Sequence, residues 1–238
     1  MAGLSRFYCS ELSRRAAERT FGTASVGAVW ILLEYPHGWG RHALEESALP
    51  SEVKTFFAET LARVRHSRLL FIKTDRGRRD ARMNLFVVRC RERSPFVVRL
   101  PLEKYEDVTA IDFAAAAAGA DLQGGVAHAG PLFLVCTHGR RDKCCAKFGV
   151  ALYNSLREAA GEAVWQSSHV GGDRFAANLL CFPHGLFYAH VDDGAGRVHE
   201  ALVARRLSEF QNFITCHSTE EKPVPQFHLE DYRVEGGA

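Results

Sequence analysis

PLFLVCTHGRRDKCCAKFGVALYNSLREAAGEAVWQSSHVGGDRFAANLLCF, residues 131–182, carries one structural unit in a single pass. PLFLVCT (131–137) is an apolar run short enough for a buried strand, and it ends in a polar loop. Over 145–160, Phe148, Leu152, Leu156 and Ala159 recur at helical spacing and predict an amphipathic helix. VWQSS (164–168) reads as a second strand. NLLCF (178–182) and GLFYAHV (185–191) read as a hairpin around Pro183-His184. A further amphipathic pattern over 199–214 places Val203, Leu207, Phe210 and Ile214 on a final helix.

The chain before this unit has the same order of elements. VGAVWILLEYP (26–36) is a buried strand, PHGWG a loop, and SEVKTFFAETLARVRH (51–66) a helix with Ser51 as its cap. RLLFIKT (68–74), NLFVVRC (84–90) and PFVVRLP (95–101) are three strands, followed by an Ala-rich helix near 112–118. A short helix is expected over 10–20. The Gly-rich stretch 118–130 reads as a linker, and the polar tail 219–238 as extended or disordered. Two small sheets with helices packed on them would satisfy this order, an α/β arrangement of the thioredoxin-like kind. The expected division is 1–120, a unit without metal ligands, then 128–218, a unit with them, then the tail 219–238. The first unit has PHGWG where the second has CTHGRRD, and it offers no thiol pair there.

Composition narrows the function. A net charge of +2 gives no electrostatic case for nucleic acid, and RGRRDAR (76–82) reads as a solvated loop. No apolar run reaches the ~18 residues of a membrane span. The N-terminal segment lacks the apolar core of an export signal. Seven cysteines, an odd number, suit a reducing compartment better than a disulfide framework, so a cytoplasmic protein is expected.

Chemistry concentrates in four residues. Cys136 closes a strand and Cys145 opens a helix, where the helix N-terminus favours a thiolate. His169 ends the next strand, and Gly171 and Gly172 allow the backbone to turn Asp173 toward the same point. Isolated Cys or His residues are usually core residues. Four candidates at the matching ends of adjacent elements instead point to a metal, and from the residues alone zinc and iron–sulfur stand equally open. Asp142 is placed to cap the helix. Arg140, Arg141 and Arg174 could offset cluster charge, dock an acidic partner, or face solvent. Cys9, Cys90, Cys181 and Cys216 receive no role.

CTHGRRDKCC (136–145) together with SSHVGGDRFAANLLCFPHGLFY (167–188) closely resembles the signature of the sucrase/ferredoxin-like family, thioredoxin-like 2Fe–2S ferredoxins. CSELSRRAAERTFGTASVGAVWILLEYPHGWG (9–40) is similar to that family's N-terminal segment. The resemblance implies a 2Fe–2S cluster with Cys136 and Cys145 on one iron and Cys144 a bystander. The family's other ligands are the two histidines of an H-x-x-x-H motif, which here reads His169-Val-Gly-Gly-Asp173. The first histidine is kept and the second is Asp. Asp173 is expected to bind the outer iron. The other readings leave that position to water, His138, His184 or His190, or have the cluster lost.

An electron carrier with an unidentified redox partner protein is the expected function, with no nucleic-acid or membrane partner and no oligomeric state implied. A thiol-based redox enzyme on the same fold is the alternative, as is a zinc or cluster-free binding module. The enzyme reading is weakened because the chain has no C-x-x-C and no Pro just before NLLCF. No carboxylate pair suggests glycosidase chemistry.

Overall fold

The apolar runs of both halves become strands of one sheet. In a computed structural model, residues 7–20, 22–75, 82–90 and 95–191 are described, with 213–215 described as backbone. The first half contributes helix α1 (Cys9–Arg15), β1 (Val29–Glu34), α2 (Ser51–Arg63), β2 (Ser67–Lys73), β3 (Met83–Arg89), β4 (Phe96–Leu102) and α3 (Phe113–Ala118). An edge strand β5 (Val126–Ala127) follows, so the predicted linker is partly sheet, with Val98 opposite Ala127. The second half contributes β6 (Leu132–Cys136), α4 (Val150–Ala160), β7 (Val164–Ser167), β8 (Leu179–Phe182), β9 (Leu186–Tyr188) and β10 (Phe213–Thr215). Helix α4 is entered through a π-helical turn, Cys145–Gly149.

Helix α2 begins at Ser51 itself, with Pro50 at the cap position and no side-chain cap. Of the predicted helix 199–214, most lies outside the described residues. Its end is a strand, since Phe213–Thr215 pairs antiparallel with β9. The RGRRDAR loop, apart from Arg82, and the tail 219–238 also lie outside the described residues.

Both halves share one pairing pattern. Strand β1 runs parallel to β2 through the α2 crossover and antiparallel to β3, which pairs with β4. Strand β6 runs parallel to β7 through α4 and antiparallel to β8, which pairs with β9. The halves are not separate sheets. Strand β2 pairs antiparallel with β7, Ile72 opposite Ser167, giving the order β10-β9-β8-β6-β7-β2-β1-β3-β4-β5. Ser168 reinforces that seam twice: its backbone N–H donates to Phe71 O at 2.8 Å, and its hydroxyl accepts from Phe71 N–H at 3.0 Å.

Alternation along the strands sorts the core into two faces. Val29, Ile31 and Leu33 face α2 and α3, meeting Val53, Phe57 and Phe113. Phe133 and Val135 face α4, meeting Leu152, Tyr153 and Leu156. The alternate residues, Trp30 and Leu32 in one half and Leu132, Leu134 and Cys136 in the other, enter a single core common to both. β1 and β8 stand four positions apart, about 19 Å in a flat sheet. The rings of Trp30 and Phe182 are nevertheless 5.5 Å apart, and those of Trp30 and Phe187 5.7 Å. The sheet is therefore strongly curled around that core. Each half thus keeps a core of its own beneath its helices, and the two share this third one. The structure is a mixed α/β fold with one large sheet, and among the described residues no helix is long and apolar enough to cross a membrane.

Candidate metal centre

Cys136 is the last residue of β6 and lies on the concave face, where its thiol is buried. Cys145 starts the π-helical turn and is also buried. Gly149, one turn on, makes that approach possible. A Cβ there would stand 2.0 Å from the Cys136 carbonyl oxygen, so only glycine lets the helix start lie against the strand end. Asp142 caps the segment as expected, its carboxylate accepting from the Cys144 N–H at 2.6 Å. Past β7, Gly171 and Gly172 take positive φ, +93° and +64°, and turn the chain into a short 3₁₀ segment, Asp173–Phe175.

Three of the four predicted residues converge. Nδ1 of His169 is 3.8 Å from the Cys145 sulfur and 4.0 Å from the Cys136 sulfur. All three ligand atoms lie within 4.8 Å of one another, so the group could hold a metal ion. Asp173 is close but elsewhere: its carboxylate oxygen is 3.8 Å from Nε2, the far nitrogen of His169. Its side chain is 46% exposed against 18% for His169, so exposure rises from the thiols outward.

The two thiols are held in different states. The Cys145 thiol, donating to Cys136, pulls the Cys136 sulfur well below the ordinary thiol range, and His169 adds to this against the effect of burial. Cys145 is pushed up as the donor of that pair and by burial. Neighbouring Cys144 is pushed up to about 12, chiefly by burial.

His138, two residues beyond Cys136, sets His169 in place. Its Nε2–H donates to the Gly40 carbonyl at 2.7 Å, so Nδ1 is free to accept the His169 backbone N–H at 3.0 Å. Burial holds its pKa below the usual imidazole value. Gly40 belongs to PHGWG, and Trp39 of the same loop packs edge-on against His138, ring centroids 5.6 Å apart. The first half thus supports a site whose thiols and imidazole lie wholly in the second. The sequence offered His138 only as a stand-in for the fourth ligand, since nothing there shows that Gly40 lies beneath it.

The other histidines weighed for the fourth position are placed elsewhere. Both ring nitrogens of His190 are used, Nε2 with the Ser13 hydroxyl at 3.1 Å and Nδ1 accepting from Arg14 Nε at 3.3 Å. His184 is exposed in the β8–β9 turn. Arg174 donates to Glu18 at 2.6 Å, while Arg140 and Arg141 face solvent.

A cluster or metal fits these residues. The donor set is two buried sulfurs and a neutral-capable imidazole, as zinc and iron–sulfur sites require. The Ser167 hydroxyl is fully buried with no hydrogen-bond partner among the described residues, and Ser167 is the register neighbour of Cys136 on the same face. An unpaired buried hydroxyl beside a ligand sulfur is a donor suited to a metal-bound sulfur.

Among known proteins, the sucrase/ferredoxin-like family matches residues 20–209. No curated protein and no solved structure matches the chain. The match spans both strand-helix-strand halves and includes all four candidate residues. The chain belongs to the sucrase/ferredoxin-like family.

Proposed function

We propose that this chain is an electron-transfer protein carrying one 2Fe–2S cluster, built on two thioredoxin-like units of which only the second binds metal. The observation that carries the reading is the convergence of Cys136, Cys145 and His169 at 3.8–4.0 Å, two sulfurs inside and one imidazole toward solvent. Cys136 and Cys145 would hold the inner iron, and His169 and Asp173 the outer. The shared pairing pattern of the halves supports the two-unit reading. All six described cysteines are free thiols, which suits a reducing compartment such as the cytoplasm. Arg140 and Arg141, exposed beside the ligand loop, suit an acidic face on the redox partner protein.

Bound here, the cluster supplies a one-electron couple, and the ligands set its potential. Imidazole-ligated centres reach about −150 to +300 mV, against about −400 mV for plant-type all-cysteine clusters. An anionic carboxylate in place of an imidazole favours the ferric state. Asp173→His should therefore raise the potential, and a potential equal to or below wild type would remove Asp173 from the ligand set. The 3.8 Å contact at Nε2 favours a second role for Asp173, accepting the ring N–H of a ligating His169. Asp173→Asn separates the two: a ligand role predicts loss of iron, whereas an acceptor role predicts retained iron at a shifted potential.

A mononuclear zinc site is the competing reading, because three donors within 4.8 Å also suit a single tetrahedral ion. Metal content decides. The freshly isolated protein is expected to be red-brown, with about two irons and two sulfides per chain, and to give a reduced-cluster signal in electron paramagnetic resonance. A colourless protein holding zinc would overturn the proposal.

A further inference from the structure

We propose that Cys9 and Cys144 are an oxidisable pair that closes to a disulfide and locks helix α1 onto the segment entering α4. Their sulfurs are 3.3 Å apart although the residues are 135 positions apart in the chain. A disulfide requires about 2.05 Å, so closure asks for a small approach of two sulfurs already in contact. Cys9, the first residue of α1, is partly exposed and within reach of a dissolved oxidant. Cys144 is fully buried beside it, placed to resolve a modified Cys9 and unable to meet the oxidant first. Asp142 completes the group, and its carboxylate also accepts from the Cys144 N–H.

The lock would be placed where it has an effect. Helix α1 lies over the two segments that present the metal-binding side chains. Ser10 donates to the Ala176 carbonyl just beyond Asp173–Phe175. Glu11 pairs with Lys147 of the π-helical turn at 2.6 Å, and Tyr8 packs edge-on against Phe148. Every one of these contacts is non-covalent and the Glu11–Lys147 pair is exposed, so a covalent link at Cys9 adds what they lack.

The step balances with a hydroperoxide as oxidant. The Cys9 sulfur attacks the peroxide O–O bond, giving a sulfenic acid and releasing an alcohol, or water from hydrogen peroxide. The Cys144 sulfur then attacks the Cys9 sulfur, the S–S bond forms, and the hydroxyl leaves as water with the Cys144 proton. Two thiols lose two electrons and the peroxide gains them. None of this uses Cys136, Cys145 or His169, so the proposal stands apart from the cluster reading.

The test is peptide mapping of the full chain after brief hydrogen peroxide treatment and alkylation. The expected result is a Cys9–Cys144 linked peptide, loss of alkylation at both positions, reversal by dithiothreitol, and no such link in Cys9→Ser. Limited proteolysis of the same samples should release the α1 peptide more slowly after oxidation, and faster again after reduction. A Cys9 that stays fully alkylated, that links to Cys136 or Cys145, or that goes to sulfinic acid without a partner would overturn the pairing. So would a zinc ion found on Cys9 and Cys144 by native mass spectrometry. A link that forms without slowing release of α1 would overturn the lock.

Discussion

The two halves use one connection, strand to loop to helix, for different ends. In the first half the strand ends at Glu34, buried, its carboxylate accepting from the backbone and side chain of Asn84. In the second it ends at Cys136, whose sulfur meets another thiol and an imidazole. The loop after Glu34 carries Trp39 and Gly40 and gives its carbonyl to His138. The loop after Cys136 carries His138 and spends it on His169. The pairing pattern is thus permissive: a buried polar residue at the strand end needs partners, and Asn84 of the neighbouring strand provides them in one half, Cys145 and His169 in the other. What distinguishes the site is the set of close approaches around it, and those can be broken one at a time.

The approach of helix to strand should be the most costly to disturb. Gly149→Ala puts a methyl against the Cys136 carbonyl, and backbone on both sides leaves little room to yield. We expect a loss of up to about 3 kcal/mol in urea unfolding, with metal content falling at the same time. Near-wild-type stability and full metal content would show that the helix start can shift without consequence. The bridge between halves comes next. His138→Leu leaves the Gly40 carbonyl and the His169 N–H without partners, at a cost of about 2 kcal/mol. If the first half truly supports the site, metal should also be lost to a chelator faster than from wild type. Unchanged chelation would confine His138 to folding.

The smallest effect on the candidate site belongs to His190, which hydrogen-bonds none of Cys136, Cys145 and His169 but anchors α1 through Ser13 and Arg14. Burial, with Arg14 adding to it, lowers its pKa to about 4 from the ordinary 6.5. The unfolded chain takes up this proton below about pH 6.5, the folded chain only near pH 4. Stability from the neutral ring is therefore fully present above about pH 6.5 and is lost as pH falls toward 4. His190→Gln should flatten the stability profile in that window. An unchanged slope would assign acid sensitivity to other groups.

Much of this was legible in the sequence. The apolar runs at 29–34 and 132–136 announced buried strands because both faces of those strands are covered, leaving no alternation to obscure them. The glycines at 171 and 172 announced a turn, and they take positive φ. Three of the four site residues could be read from chain position, since strand ends and helix starts come together by topology. The rest depended on long-range geometry. Short polar-flanked segments such as Val126–Ala127 gain strand character only from the neighbour they pair with. Phe213–Thr215 fitted a helical period yet joins a sheet edge. Gly149 looks like an ordinary helix glycine until the Cys136 carbonyl is placed against it. The Cys9–Cys144 contact has no local signature at all.

The curled sheet carries a consequence for how the molecule comes apart. Trp30 rests on Phe182 and Phe187, so neither half can expose its concave face without unseating the other. A repeated topology ordinarily suggests modules that melt separately and can be cut and exchanged. Here the repeat is welded through its interior. The chain should behave as one cooperative unit, because the half with the candidate site, though it has its own core beneath α4, would expose its other face if separated.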